Sequence, residues 1–288
     1  MEPEPVAAPA PSGDAVVRLD GVSMVFAGQG EARSVEALRD IDLSVRRGEF
    51  VSLIGPSGCG KSTLLRIIGD LVTPSAGTVT VNDKPARRAR LDRDYGMVFQ
   101  APVLFDWRTV QKNVELPLEI VGAPAPERAA KARAMLDLVE LSDFGGQRPW
   151  QLSGGMQQRV AIARALALDP AILLMDEPFG ALDEMTRERM NLELHRIWKQ
   201  TGTTVVFVTH SIPEAVFLST RVVVMSPRPG RIHTVVPIDL PLDRSVETRE
   251  MVRYFQLVTQ VREALRGQEA AAGDEADTAR VLAEGLSA

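Results

Sequence analysis

Cysteine is nearly absent from this sequence, which has one such residue, Cys59, among 288. A single cysteine excludes an internal disulfide framework and any metal site built from several cysteines. Histidine is scarce too, since the chain has only His195, His210 and His233, which are too scattered to suggest a zinc site. The sequence therefore predicts neither a disulfide scaffold nor a zinc centre.

Long apolar runs are also missing. No stretch approaches the roughly 18 uncharged apolar residues of a membrane-spanning helix. The first residues lack the charged and then apolar pattern of a secretory signal. With 45% hydrophobic and 25% charged residues, the composition is typical of a soluble globular protein. We expect the chain to be cytoplasmic and not to cross a membrane itself.

A strong excess of positive charge is missing as well. The net charge is −5, and residues 1–14 and 268–288 carry so many acids that the residues between them have a net charge of +2. A nucleic-acid-binding protein is expected to present a strongly basic face, so this balance argues against a nucleic-acid partner. The first of these segments is rich in proline and alanine and the second in alanine and acids, which predicts a disordered arm and a mobile acidic tail.

The residues between these segments change pattern twice. Short apolar runs with turn signals predict strands at 16–26, 35–45, 50–54, 78–81 and 95–99. Helix-compatible stretches follow at 110–121, 126–141 and 156–168. Strand and helix then alternate at 171–175, 184–200 and 203–209, before a hairpin at 221–225 and 231–236 and a last helix from 246. We expect a parallel α/β core that carries a helical insertion over about 101–168.

A phosphate-binding pattern lies between the strand that ends at Ile54 and a helix. Residues 55–62 fit G-x-x-x-x-G-K-[ST] at every fixed position. The glycines allow amide N–H groups to face an anion, and Lys61 supplies a charge for the outer phosphates. Ser62 offers a hydroxyl to the Mg²⁺ that accompanies a nucleoside triphosphate. The predicted nucleotide-binding residues here are Gly55, Pro56, Ser57, Gly58, Cys59, Gly60, Lys61, Ser62 and Thr63.

Cys59, within this loop, has two interpretations. A thiol at a helix N-terminus beside Lys61 is expected to have a lowered pKa and to be reactive. The alternative, which we favour, is a small residue that fills the loop.

A second helix N-terminus of the same kind begins after Leu152. Ser153, Gly154 and Gly155 precede an alanine-rich helix, an arrangement that suits anion binding. One chain with two phosphate-binding helix ends and one lysine loop is unusual. The geometry would be satisfied if the second end faced the nucleotide of another subunit.

Together these stretches resemble the ATP-binding subunit of ATP-binding cassette (ABC) transporters, over about residues 15–240. Residues 152–159 are similar to the signature motif of that family, with Met156 where glutamine is more common. The resemblance implies a P-loop NTPase (RecA-like) core with an N-terminal antiparallel β subdomain and an inserted α-helical subdomain. The ATPase domain would then span 15–245, followed by a C-terminal helix at 246–267.

The resemblance also implies roles for residues at the ends of strands. Asp176 would hold Mg²⁺, and Glu177 beside it would act as the general base for the attacking water. For both acids the alternative is a solvated turn. His210 would contact the γ-phosphate, whereas His195 and His233 match no motif and are expected to be surface residues. Gln100 would contact both Mg²⁺ and the membrane partner.

Two further positions follow from the same resemblance. Asp183 resembles the residue of a loop that crosses the dimer interface. Phe26 resembles an aromatic residue that stacks on adenine, although a core phenylalanine at the end of a strand is the alternative.

The implied mechanism needs several partners. Two subunits would close head to tail over two ATP molecules. This closure would be transmitted to a separate membrane permease at the cytoplasmic face of the membrane. Residues 100–110, including Trp107, would contact that permease, although some of them could be core residues. The sequences of residues 100–110, 177–184 and 209–215 are similar to those of the ATP-binding subunits of importers for nitrate, alkanesulfonates, taurine and pyrimidine vitamin precursors. In such importers an extracytoplasmic binding protein recognises the solute. The ATPase of an exporter and a soluble cassette acting on ribosomes or DNA are the alternatives.

Overall fold

The computed structural model describes residues 15–28 and 34–267. The predicted disordered arm at 1–14 and the predicted acidic tail at 268–288 lie outside the described residues. Among the described residues, every helix is too short or too polar to cross a lipid bilayer.

Strands and helices alternate along most of the described chain. The strands are β1 (Ala15–Phe26), β2 (Val35–Arg46), β3 (Phe50–Ile54), β4 (Ala76–Val81), β5 (Lys84–Pro85), β6 (Tyr95–Val98), β7 (Ile172–Asp176), β8 (Thr204–Val208), β9 (Arg221–Met225) and β10 (Ile232–Pro237). The helices are α1 (Lys61–Ile68), α2 (Ala86–Asp92), α3 (Val110–Ile120), α4 (Ala125–Leu138), α5 (Gly154–Leu166), α6 (Glu184–Thr201), α7 (Ile212–Leu218) and α8 (252–267).

The strands form two sheets. The first is antiparallel, in the order β2-β1-β4-β5, and the second has the order β10-β9-β3-β8-β7-β6 with parallel pairing from β9 to β6. Every residue of β3, β7 and β8 is buried, as expected for parallel strands covered on both faces. Because parallel strands end at the same edge of a sheet, the segments after β3, β7 and β8 meet there. This edge carries the candidate site.

Two apolar cores cover the two faces of the larger sheet. One is formed with the antiparallel sheet and α1, and includes Leu38, Leu64 and Val206. The other is formed with the helices of the insertion, with α6 and α7 and with the C-terminal segment, and includes Leu136, Phe207 and Leu257. The sheet is therefore held rigidly between two layers, which fixes the positions of its strand ends.

The structure differs from the sequence-based expectations at three helices. Helices α2 and α7 were not expected, because α2 is rich in arginine without apolar periodicity and α7 is a single short run of seven residues. The last helix begins at 252 rather than at 246. A 3₁₀ helix occupies Val246–Glu250, and Met251 is extended with ψ 136°, which separates the two helices.

Candidate nucleotide site

The loop between β3 and α1 has the backbone shape that an anion-binding loop needs. Gly58 and Gly60 have φ of 75° and 101°, in the left-handed region that favours glycine. A Cβ at residue 60 would also lie 2.6 Å from Leu38 Cδ2. The glycines at 58 and 60 are therefore required by the fold of the loop, which places the N-terminus of α1 at the edge of the sheet.

Lys61, the first residue of α1, is buried and turned back over this loop. Its Nζ donates to the carbonyl oxygens of Gly55 at 2.9 Å and Pro56 at 3.0 Å. Neutral oxygens hold the ammonium in place without cancelling its charge, so it stays available to an anion. Lys61 lines a cavity of about 720 Å³ together with loop and α1 residues, Gly55, Ser57, Gly58, Gly60, Ser62 and Thr63, and with Phe26, Val35, Ala37, Glu177, His210 and Arg228.

Ser62 and Asp176 form an oxygen-rich pair beside Lys61. The Ser62 hydroxyl donates to Asp176 Oδ1 at 2.6 Å, and Asp176 is largely buried at the end of β7. A hydroxyl and one carboxylate are hard oxygen donors of the kind that hold Mg²⁺ together with phosphates and water. No cluster of three or more acidic, histidine or cysteine ligands occurs within the described residues. The pair therefore fits a metal ion that arrives with a nucleotide better than one held by the protein alone.

Glu177 and His210 meet at the same edge. His210 Nδ1 lies 3.4 Å from Glu177 Oε2, and both side chains line the cavity. The Glu177 amide donates to Val208 O at 3.0 Å, which ties the end of β7 to that of β8. Glu177 also has φ 46°, an unusual conformation for a residue with a side chain. The Glu177 backbone is therefore tied to the edge of the sheet, which places its carboxylate at the cavity.

Gln100 lies beside this cluster rather than in the cavity wall. A Cβ on Gly180 would be 3.2 Å from Gln100 Nε2 and 3.7 Å from Glu177 Oε2, so the two side chains approach the same glycine. The structure therefore brings Gln100, predicted at the end of a strand, to the neighbourhood of Glu177.

Phe26 and Arg228 face the cavity from outside the loop. Phe26 is 43% exposed, so it is not a core residue and its ring is available to a ligand. Arg228 was missed by the sequence analysis. It lies in the turn between β9 and β10, and its Nε donates to Gly58 O at 3.3 Å. Its only sequence signal is an arginine between two prolines in a predicted turn, which does not indicate a ligand contact.

Ser153 and Asp183 lie together on a surface outside this cavity. Ser153 caps α5, and its Oγ accepts from Met156 N at 3.3 Å. Asp183 caps α6 and accepts from Thr186 N at 3.0 Å, and hydrogen bonding to Thr186 lowers the pKa of its carboxyl. The first turns of α5 and α6 lie close together, since a Cβ added to Gly155 of α5 would be 3.0 Å from Thr186 Cγ2 of α6. Within one chain, Ser153, Gly154, Gly155 and Asp183 do not reach the cavity of Lys61.

Burial of the Cys59 thiol outweighs the charge of Lys61 and raises the pKa of that thiol. The favoured interpretation of Cys59, a small residue that fills the loop, is therefore confirmed. The expectation that His195 is a surface residue is wrong. His195 is 3% exposed rather than on the surface, and its Nε2 donates to Leu242 O at 2.8 Å. Burial lowers the pKa of His195 to about 4, so the ring is neutral near pH 7. His233 is exposed as expected.

Several known proteins are similar to this chain over most of its length. The family model described as "ABC transporter" matches residues 38–180. A nitrate import ATP-binding protein of Synechocystis is 45% identical over 246 residues, which cover 83% of this chain and 92% of that protein. A taurine import ATP-binding protein of Jannaschia is 47% identical over 200 residues, covering 69% and 74%.

A solved structure is also similar. It is a dimeric ATP-binding cassette in a post-hydrolysis state with bound ADP and Pi. Its sequence is 38% identical, it covers 77% of this chain and 98% of its own, and its TM-score is 0.67.

Proposed function

This chain belongs to the ABC transporter ATP-binding proteins and is an ATPase, and we propose that it is the subunit that drives an importer through a separate permease. The proposed solutes are nitrate, sulfonate or taurine-like anions, or pyrimidine vitamin precursors. The observation that carries the proposal is the meeting of Lys61, the Ser62–Asp176 pair and the Glu177–His210 pair at one edge of the sheet. Similarity to nitrate and taurine import proteins supports the direction of transport.

The roles of the side chains follow from their positions. Lys61 and the loop amides bind the β- and γ-phosphates of ATP. Glu177 accepts a proton from the attacking water, and His210 orients the γ-phosphate opposite it. Ser62, Asp176 and Gln100 would hold Mg²⁺ when it is present, where the ion would neutralise charge that develops on the phosphates. Arg228 adds a further positive charge at the rim of the cavity.

The separation of Ser153 from Lys61 supports a site that is completed by another copy of the chain. Since Ser153 and Asp183 share a surface outside the cavity, we propose that this surface closes over the nucleotide of a second subunit. The similar solved cassette is itself dimeric. Each of two ATP molecules would then lie between the Lys61 loop of one chain and the Ser153 helix end of the other.

An exposed apolar patch near Gln100 supports permease binding. Val103 is 57% exposed and Trp107 is 71% exposed, so Trp107 is not a core residue. Large apolar side chains that face solvent beside a functional site are typical of an interaction surface. We propose that this patch binds the permease at the cytoplasmic face of the membrane.

The importer assignment is tested by reconstituting the chain with the membrane protein that co-purifies with it. ATPase activity is expected to rise when a solute-binding protein loaded with one of the proposed solutes is added outside the vesicle. The matched control is the same binding protein without solute. Stimulation by a solute on the side of the ATPase, with no binding protein, would instead indicate an exporter, and co-purification with ribosomes would indicate a soluble cassette.

Removal of the Phe26 ring is expected to weaken ATP binding. Phe26→Ala deletes the flat surface on which adenine would stack. Aromatic pairs contribute about 0.5–1.5 kcal/mol beyond area burial, which corresponds to a rise in Kd of about twofold to thirteenfold. Phe26→Tyr keeps the ring and is expected to bind like the wild type. The measurement is a nucleotide titration of all three proteins, and equal affinity in Phe26→Ala would exclude the stacking role.

A further inference from the structure

Helix α7, which follows His210 directly, is held along its length by the C-terminal segment, residues 238–267. At its first turn, the Tyr254 hydroxyl donates to Pro213 O at 3.0 Å. At its end, the Arg244 guanidinium donates to the carbonyl oxygens of Val216 at 3.3 Å and Ser219 at 2.7 Å. The C-terminal segment therefore contacts both ends of α7, the helix that follows His210 at the edge of the sheet.

Arg249 joins this helix to its neighbour α6. Its guanidinium lies 4.5 Å from the centre of the Phe217 ring on α7, while its Nη1 donates to Glu188 Oε1 on α6 at 2.9 Å. Helix α6 follows the loop that contains Glu177, and α7 follows His210. The Arg249 side chain thus bridges α6, which follows Glu177 in the chain, and α7, which follows His210.

A buried carboxyl continues this connection to His210. Glu214, on α7, accepts from the Thr209 hydroxyl, and Thr209 Oγ1 in turn accepts from Ser211 N at 2.9 Å. These bonds fix both neighbours of His210 in the chain. Burial raises the pKa of Glu214, against the Thr209 hydrogen bond and the charges of Arg187, His210 and Arg249.

The second oxygen of Glu214 and the second terminal nitrogen of Arg249 are both buried. Neither Glu214 Oε1 nor Arg249 Nη2 has a hydrogen-bond partner within the described residues. These two atoms therefore do not bond to each other, and the link from Arg249 to Glu214 is the charge of the guanidinium, which acts on the buried carboxyl.

We propose that Arg249 is a positioning residue for ATP hydrolysis, through which the C-terminal segment holds α6 and α7 so that Glu177 and His210 keep their mutual geometry. This inference rests on the proposed roles of Glu177 and His210. Its consequence is that the C-terminal segment controls the rate of the chemical step without touching the nucleotide. A partner that displaced residues 246–250 would slow turnover in the same way.

The test compares Arg249→Met with a matched control, Arg253→Met. Arg253 belongs to the same segment and pairs with Asp239 at 2.8 and 2.9 Å, but this pair is exposed and does not bridge α6 and α7. Arg249→Met is expected to lower kcat by about tenfold, because small misplacements of catalytic groups have large effects on rate. Its KM for ATP is expected to stay within about twofold, as for an interaction made only in the transition state. Arg253→Met is expected to retain the wild-type kcat and KM.

A second variant separates positioning from folding. Glu188→Ala removes only a partly exposed carboxylate from α6, so it is expected to fold, and it deletes the acceptor of Arg249 Nη1 and thus breaks the bridge to α6. Its kcat is expected to fall at least about threefold, and adding it to Arg249→Met is expected to give no further loss, since one bridge is removed twice. All rates are taken per folded, nucleotide-binding chain.

Several results would overturn the inference. One such result is wild-type kcat in Arg249→Met or in Glu188→Ala. Another is a loss of kcat in Arg253→Met equal to that in Arg249→Met. A third is that the effects of Arg249→Met and Glu188→Ala multiply in the double variant. The proposed function fails separately, if the wild-type chain does not hydrolyse ATP or if Glu177→Gln hydrolyses it normally.

Discussion

Glu177→Gln is expected nearly to abolish ATP hydrolysis while leaving ATP binding intact. Glutamine keeps the size and hydrogen bonding of the side chain but cannot take a proton from the attacking water. Because a positioned general base contributes about 10²–10⁴ in rate, kcat is expected to fall by that factor. The Lys61 loop and the Ser62–Asp176 pair are unchanged in this variant, so the affinity for ATP is expected to match that of the wild type.

Bound ATP that is not hydrolysed is expected to keep two chains together. Size-exclusion chromatography with ATP is therefore expected to show a stable dimer of Glu177→Gln, whereas the wild type reopens after hydrolysis. Glu127→Gln, which changes an exposed carboxylate of α4, is the matched control and is expected to hydrolyse ATP normally. Unchanged ATPase activity in Glu177→Gln would contradict the assignment of the general base.

The sequence was sufficient to predict the elements that carry the site. Residues 55–62 fit a pattern whose glycines, lysine and serine each have a physical role, and the structure places this loop between a buried strand and a helix as expected. The roles of Asp176 and Glu177 were implied by the family resemblance, and the structure places the two acids at the end of the predicted apolar run, which is β7. The loop and the strand were predictable because each depends on local chain geometry.

Contacts between distant segments were not predictable in this way. The 3.4 Å approach of His210 to Glu177 depends on β7 and β8 being neighbours, and the approach of Arg228 to Gly58 depends on β9 lying beside β3. The C-terminal bridge of Arg249 to α6 and α7 joins segments about 60 and 30 residues apart, at Glu188 and Phe217. No periodicity or motif in one sequence reports such pairs.

His195 shows a different limit. Met190, Leu194, Ile197 and Trp198 form an apolar stripe at helical spacing on α6, and the structure buries all four. The buried stripe is wider than the apolar residues alone suggest, since it also includes Asn191 and His195. The position of His195 beside Leu194 was a usable signal, but His195 was placed on the surface because it matches no motif.

Lys61→Ala is expected to abolish ATP binding and hydrolysis. The variant removes the buried ammonium that faces the cavity, and removing even one neutral hydrogen-bond donor aimed at a developing charge costs about 2.7–4 kcal/mol, or about 10²–10³ in rate. Ser153→Arg is expected to be inactive for a different reason. Its long side chain would block the helix end that we propose to close over the partner's nucleotide, while its own Lys61 loop still binds ATP.

The proposal that each nucleotide site is shared by two chains is tested most directly by mixing these two inactive variants. In a mixed dimer, one site combines the intact Lys61 loop of Ser153→Arg with the intact Ser153 helix end of Lys61→Ala, while the other site carries both defects. We predict that the mixture hydrolyses ATP although neither variant does so alone. Activity of the mixture no greater than the mean of the two separate variants would contradict a site shared between two chains.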